Sequence, residues 1–313
     1  MSVARTGEFG LIARVTARLQ PGPGTLLGPG DDAAIVAAPD SRVVASTDAL
    51  VEGRHFRRDW ASGVEIGHRA AAANLADIAA MGATPTALLV ALCAPPGLDA
   101  RWAEDLADGL AAEAATVGAA VVGGDMAGSP TLTIAVTALG DLGGRNPVTR
   151  GGARAGDVVA LCGRVGYAAA GYTVLSRGFR TPVLLVDAYR RPRVPYAAGP
   201  AAARAGATAM LDVSDGLLQD LGHIAQASKV AIDVDRAAFE VPPQMRDAAQ
   251  ALGVDPYHWV LGGGDDHALA ATFPPDRTLP EGWREIGRVG EGTGVTVDGR
   301  PPKGPIGWDH FSS

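Results

Sequence analysis

The chain is 313 residues long, 47% hydrophobic, 19% charged and 5% aromatic, with 42 glycines and 22 prolines. That composition excludes a disordered or fibrous chain, and the length provides for two globular domains. Twenty-seven basic against 34 acidic residues leave a net charge of −7, which excludes gripping nucleic acid by unaided positive charge; a phosphate-bearing ligand would need cations to mediate.

The spacing of Phe9, Ile12, Ala13 and Thr16 predicts a helix over 8–19 that stops at the Pro-Gly-Pro-Gly of 21–24. Turns follow to Asp32, then two short strands over 33–38 and 42–46 joined by a turn at Pro39-Asp40. An Ala-rich helix over 64–81 closes at Gly82 and yields to a strand over 86–93, a helix over 98–117 and strands over 119–122 and 131–139. From Gly143 to Gly156 the chain turns Gly- and Arg-rich around Pro147, which places a domain boundary near 145 and gives domains 1–145 and 146–313. Beyond it, strands over 157–162, 208–211, 230–234, 267–272 and 285–289 are interleaved with helices over 167–176, 183–189, 196–205, 216–227 and 243–251. Strands alternating with helices indicate the α/β class. Trp308 and Phe311 predict a C-terminal tail docked on the body.

Lys229 and Lys303 are the only lysines, and neither stands in G-x-x-x-x-G-K-[ST], so a Walker A loop and a protein-kinase lysine strand are both excluded. Cys93 and Cys162 lie in apolar runs and are expected as buried thiols in a reducing compartment. No apolar stretch reaches the ~18–20 residues of a membrane span, and the N-terminal residues show no apolar signal core. The expected setting is the cytoplasm, with no membrane and no nucleic-acid partner.

Acidic residues recur beside turns and glycines: Asp31 and Asp32, Asp48, Asp77, Asp125, Asp212, Asp215, Asp265 and Asp266. Singly, each has a bland reading as a turn or helix cap. Asp77 stands apart, because it shares one face of an otherwise apolar helix with Asn74, and a carboxylate there needs a partner. Collectively, converging carboxylates repel one another unless a cation neutralises them. Oxygen donors without a zinc-spaced histidine set favour Mg²⁺ or Mn²⁺, which typically keep waters and bridge substrate phosphates. Gly123-Gly124-Asp125 and Gly262-Gly263-Gly264-Asp265 would let backbone N–H groups approach an anion, against the plainer reading of tight turns. Asp212-Val-Ser-Asp215-Gly216 leads into a helix whose N-terminus could face phosphate, and Arg150 is a candidate phosphate clamp.

Nine ordered blocks together resemble the thiamine-monophosphate kinases: GEFGLI at 7–12, GPGDDAA at 28–34, STDALVEGRHF at 46–56, NLADIAAMGATP at 74–85, GGDM at 123–126, VTRGGARAGD at 148–157, LDVSDGLLQDLGHI at 211–224, GGGDDHAL at 262–269 and GWDHF at 307–311. The wider relatives are the aminoimidazole ribonucleotide synthetase-like ATP enzymes. The resemblance implies their two-domain α/β fold of α+β type, with mixed sheets covered by helices. It also implies an N-terminal half that binds ATP and Mg²⁺ and dimerises, and a C-terminal half that completes the nucleotide and substrate site.

The implied activity is ATP-dependent phosphorylation of thiamine monophosphate to thiamine diphosphate. Carried over by position, Asp32, Ser46, Thr47, Asp48, Asp77, Asp125, Asp212 and Asp215 would hold several Mg²⁺ ions. Gly124, Asp125, Arg150 and Ser214 would meet ATP; His55, Asp265 and Trp308 would contact the acceptor. Among these, Asp48, Asp77, Arg150 and Asp212 are the implied catalytic residues. Two positions depart from the family pattern: Gly-Gly-Glu-Asp-Tyr appears as Gly264 preceded by Gly263 and followed by Asp265-Asp266-His267, and the tail tyrosine is Trp308. Trp308 keeps a flat π face for a cationic ring. The acceptor phosphate is already anionic near pH 7, so charge neutralisation and in-line positioning should dominate over general-base catalysis, without a phospho-enzyme. Another ATP-using enzyme of the superfamily, and a silent nucleotide or thiamine-phosphate binding protein, stand as alternatives.

Overall fold

The computed structural model describes residues 2–29, 33–304 and 306–308, and for Glu8 and Phe9 the backbone alone. It divides into two compact units, Met1–Ile78 with Ala83–Arg145, and Ala79–Gly82 with Asn146–Ser313. Each is a mixed α/β body.

The first unit begins with helices α1 (Val3–Thr6) and α2 (Glu8–Thr16) and strands β1 (Thr25–Leu27), β2 (Ile35–Val36) and β3 (Val44–Val51). Helix α3 (Gly63–Ala80), β4 (Thr84–Ala94), α4 (Ala100–Ala115), β5 (Ala120–Gly128) and β6 (Thr133–Asp141) follow. β1 and β2 pair as a small antiparallel ribbon. The other strands form a sheet in the order β3-β6-β4-β5, antiparallel except for the β4–β5 pair. β6 shows why one face is covered: Ile134, Val136 and Ala138 are buried while the residues between them are half-buried, the two-residue period of a sheet with one packed face.

Helix α3 is apolar nearly all round, and Ala70–Ala73, Leu75, Ala76 and Ile78 are all buried, as suits a central helix rather than a surface one. It touches α4 backbone to backbone. A Cβ on Gly67 would run into the Leu106 carbonyl, and one on Gly109 into that of Val64, so glycine is required at this crossing. Helix α4 starts at Asp99, whose side chain accepts from the Arg101 N–H at 3.0 Å. Arg14 and Arg18 tie α2 to it through Glu104, and Arg18 also bonds Asp108.

The second unit runs β7 (Val158–Cys162), α5 (Tyr167–Ser176), α6 (Val183–Arg190), α7 (Ala198–Ala205), β8 (Ala209–Val213), α8 (Leu217–Ser228) and β9 (Ala231–Val234). It continues with α9 (Pro243–Leu252), α10 (Pro256–Gly262), β10 (Ala268–Phe273), β11 (Trp283–Gly290) and β12 (Gly294–Val297). The sheet order is β12-β9-β11-β7-β10-β8, with β12–β9 the parallel pair. β7, β8 and β10 are buried along their whole length, so they read as continuous apolar runs rather than alternating ones. Phe273 and Trp283 meet edge to face at 5.5 Å within a core that includes Met210 and Leu269.

Three expectations need correction. The strands read at 33–38 and 42–46 are not a hairpin, because β2 pairs with β1, in a stretch expected as turns, while β3 pairs with β6. The strands around Asp48 and Asp125 are longer than expected, so Ser46-Thr47-Asp48 and Gly123-Gly124-Asp125 lie inside β3 and β5 and not in turns. β12 and α10 went unread, one being short and Gly-flanked and the other a single Pro-initiated stretch. Cys162 is buried but Cys93 is only half-buried, on the less covered face of β4; both are free thiols. Among the described residues, no helix is long and apolar enough to cross a membrane.

Candidate active site

In the first unit, β3 turns Ser46 and Asp48 to one face and Thr47 to the other. Ser46 Oγ donates to Asp77 Oδ2 at 2.6 Å, so a hydroxyl from the sheet is one partner of the carboxylate on apolar α3. Asn74, one turn earlier, is buried; it donates to the Ala70 carbonyl at 3.0 Å, and its Oδ1 has no hydrogen-bond partner. Thr47 Oγ1 donates to the Val136 carbonyl at 3.0 Å and accepts from Thr137 Oγ1 at 3.0 Å, which commits its hydroxyl away from Asp48 and Asp77.

Register then separates two of the acids. Asp48 aligns with Val136, Val90 and Gly124, whereas Asp125 aligns with Ala91, Ala135 and Ala49. Asp48 and Asp125 therefore leave the two edge strands, β3 and β5, on opposite faces with two strands between them, roughly 14 Å apart at ordinary strand spacing. Gly124 is needed for backbone approach and not for a turn, since a Cβ there would collide with the Val90 carbonyl. Beside β5 opens a cavity of about 720 Å³, lined mostly by apolar side chains such as Leu89, Leu106, Leu110 and Val121, with Gly124 and Asp125 also on its wall. His55 Nδ1 accepts from the Val51 N–H at 2.9 Å, which leaves the ring proton on Nε2.

In the second unit, Asp212 lies near the end of β8 opposite Leu269 of β10. Its Oδ2 is 2.9 Å from His267 Nδ1, and both residues are about 5% exposed. An ionised carboxylate only accepts, so Nδ1 carries the proton. Glycine again makes the contact possible: a Cβ on Gly264 would strike the Ser214 carbonyl. The Asp265 N–H donates to that same carbonyl at 2.8 Å, and the His267 N–H to the Val213 carbonyl at 3.1 Å. Asp265 and His267 adopt left-handed φ values of 66° and 52°, local strain held where two loops of candidate residues meet.

Two aspartates not assigned from sequence support this region. Asp220 Oδ2 accepts from the N–H groups of Asp215 and Gly216, and burial together with the charges of Asp212 and Asp215 pushes its carboxyl up to about 7. Asp266 receives the Ala168 N–H at 3.2 Å on both oxygens, and burial pushes it up to about 7 as well. A signal for Asp220 existed in its place one helical turn after Gly216; the partner of Asp266 is 98 residues away and left none. The N–H groups of Asp215 and Gly216 go to Asp220, and that of Gln219 goes to the Ile306 carbonyl at 3.0 Å.

Arg150 is exposed, and the turn that carries it is pinned by Ser228, whose Oγ donates to the Arg150 carbonyl at 2.9 Å and accepts from the Gly152 and Ala153 N–H groups. Trp308 is 53% exposed, and its N–H donates to the Asp215 carbonyl at 2.9 Å. Ser214 and Asp215 are half-buried in the loop between β8 and α8. Asp32 and the tail from Asp309 onward lie outside the described residues. Among those described, no three His, Cys, Asp or Glu side chains form a metal cage.

Comparison with known proteins accounts for this arrangement. Residues 30–142 match the AIR synthase related protein N-terminal domain, and residues 154–299 match its C-terminal domain. The chain is 49% identical over 313 residues to the thiamine-monophosphate kinase of Mycobacterium tuberculosis, covering 99% of this chain and 93% of that protein. It is 41% identical over 321 residues to that of Corynebacterium glutamicum, covering 99% and 95%. A solved structure described as AaThiL complexed with AMPPCP and TMP superposes with a TM-score of 0.82 at 32% identity, covering 99% of both chains. With both domains matched and near-complete coverage of its relatives, the chain belongs to the thiamine-monophosphate kinase family, within the AIR synthase related proteins.

Proposed function

We propose that this chain transfers the γ-phosphoryl group of ATP directly to thiamine monophosphate, giving thiamine diphosphate and ADP. The observation that carries this reading is the end-to-end likeness to thiamine-monophosphate kinases, 49% identity across 99% of the chain. It is supported by the name of the AaThiL complex, which pairs an ATP analogue with the acceptor.

The chain's own groups can be given roles. By the family pattern, Gly124 and Asp125 of the first unit and Ser214 and the exposed Arg150 of the second would meet ATP. His55, with its Nε2 proton directed away from the Val51 bond, would donate to the acceptor's phosphate, while Asp265 and the exposed Trp308 ring would hold the thiazolium or pyrimidine. The acceptor oxygen is a phosphate oxygen and needs little help from a base, so the residues act chiefly by position.

Mg²⁺ fits the donors present: they are oxygens, and the absence of a ready three-carboxylate cage among the described residues suits an ion that takes one or two carboxylates and completes its shell with phosphate and water. Ser46, Asp48, Asp77, Asp125, Asp212 and Asp215 would hold such ions, with Asp32 and Thr47 named from the family pattern alone. Bound there, Mg²⁺ supplies the positive charge that lets two polyanions approach. A homodimer formed through the first unit also suits the geometry, because Asp48 and Asp125 leave opposite edges of one sheet and a second copy offers a way to unite them. We place the enzyme in the cytoplasm.

The test is incubation with Mg-ATP and thiamine monophosphate, scoring thiamine diphosphate and ADP in equal amounts, with a chelator control. Nucleotide consumption without a phosphorylated thiamine product would remove the reading.

A further inference from the structure

The end of the described chain is held in a way that neither the catalytic roles above nor the family pattern assigns. Segment 306–308 lies along the start of α8 and closes two backbone hydrogen bonds, from the Gln219 N–H to the Ile306 carbonyl at 3.0 Å and from the Trp308 N–H to the Asp215 carbonyl at 2.9 Å. The first satisfies one of the donors that every helix start leaves without an intrahelical partner. Gly307 lies so close to the Gln219 side chain that a Cβ would overlap its amide, and a Cβ on Gly216 would approach the Gly307 Cα to 3.0 Å. Glycine at both places lets tail and helix start press together.

The Gln219 amide nitrogen has two hydrogens, and both are directed at groups with proposed roles. Nε2 donates to the Trp308 carbonyl at 2.8 Å and reaches Asp215 Oδ2 at 3.3 Å. One end of this bridge is a carboxylate on the loop after β8, and the other is the backbone of a tryptophan whose ring is 53% exposed. A tryptophan held by its main chain with its ring in solvent is presented to a ligand, not anchored in a core.

We propose that Gln219 is a positioning residue that latches segment 306–308 onto the Asp215 loop, so that Trp308 and Asp215 move as one unit and the acceptor is seated in register with the phosphoryl-transfer side of the site. The coupling to the acceptor rests on the function proposed above; the latch itself rests on the hydrogen bonds alone. Gln219→Leu keeps the bulk and removes both donors. Gln219→Glu keeps the shape but turns acceptor oxygens toward a carbonyl and a carboxylate.

The lysine content provides a clean probe. Lys229 and Lys303 are the only lysines, so endoproteinase Lys-C can cut at two places, and cleavage after Lys303 releases residues 304–313. Gln219→Leu should be cut after Lys303 roughly 5-fold faster than the natural chain and Gln219→Glu faster still, the range expected for losing one or two hydrogen bonds, with cleavage after Lys229 as the internal control. Thiamine monophosphate should slow cleavage after Lys303 in the natural chain. In steady state, KM for thiamine monophosphate should rise by about the same factor, with kcat and KM for ATP within about twofold. Unchanged cleavage after Lys303 in both variants would overturn the latch. Faster cleavage with an unchanged acceptor KM, or kcat falling in step with both KM values rising, would overturn the positioning role. If instead the natural chain transfers no phosphoryl group and gains no protection from thiamine monophosphate, while Gln219→Leu is still cut faster, the proposed function fails and the latch stands.

Discussion

The acids of the two units are kept in opposite ways. In the first unit, Asp48 and Asp125 are exposed on the edge strands of a four-stranded sheet, and half-buried Asp77 accepts from the Ser46 hydroxyl. In the second, Asp212, Asp220 and Asp266 are 3–5% exposed and spend their oxygens on an imidazole and on backbone N–H groups. The first arrangement leaves the carboxylates of Asp48 and Asp125 accessible from solvent. The second invests in the fold, because a buried carboxylate stripped of its donors is destabilising. Exposed acids of the first kind stay available to a ligand, while buried acids of the second kind fix the loops that carry them.

The sharpest way to break this contrast is to neutralise an acid of the first unit and watch both activity and stability. Asp77→Asn and Asp48→Asn should each lower turnover by roughly 10²–10³-fold, the range for removing one preorganised charge interaction at a transferring group. For exposed Asp48→Asn the unfolding free energy from urea titration should stay within the ~0.5 kcal/mol typical of surface substitutions, whereas half-buried Asp77 accepts from Ser46 and its variant should lose more. Full activity in folded Asp77→Asn protein would take α3 out of the mechanism, and a large loss of stability in Asp48→Asn would erase the distinction between the units.

The converse substitution is His267→Phe, which keeps a ring but leaves buried Asp212 without its 2.9 Å donor. Leaving such a group unsatisfied costs about 1–3 kcal/mol, so the urea midpoint should fall clearly where that of Asp48→Asn does not. Equal midpoints for the two variants would mean that the Asp212 contact contributes nothing to the fold. Gly124→Ala tests a place where the first unit is also tightly built. Its Cβ would meet the Val90 carbonyl across the β4–β5 pair, and relief by strand displacement should lower stability by roughly 1–3 kcal/mol, read by thermal denaturation with and without nucleotide.

Much of this division was legible in the residues, though not for the reasons that make it work. Helices α3 and α4 follow from their apolar spacing, and the nine blocks carry the family and its acids. What spacing could not carry was direction. Gly123-Gly124 reads as a turn because glycine pairs usually are turns, yet the pair sits in a parallel strand where the neighbouring backbone excludes a side chain. The opposite faces of Asp48 and Asp125 depend on register across four strands, which no local window contains. The donors to Asp212 and Asp266 come from 55 and 98 residues away, so the groups that make the second unit's acids costly to remove were out of sight while the acids themselves were plain.

The smallest expected effect is also the most specific to the buried set. Asp266, pushed up to about 7 in the folded chain, has an ordinary carboxyl pKa of about 3.9 once unfolded. Between about pH 4 and pH 7 the folded chain therefore holds a proton that the unfolded chain has released. Its contribution to stability is fully present below about pH 4 and is lost as the pH rises through about 7, with Asp220 acting in the same sense. Asp266→Asn keeps an oxygen for the Ala168 N–H but cannot ionise, so urea unfolding at a series of pH values should show the decline across this window flattened by about one proton. A curve for Asp266→Asn parallel to that of the natural chain would mean that Asp266 is already ionised in its buried seat, held there by its backbone donors with little penalty, and the two units would then keep their acids alike.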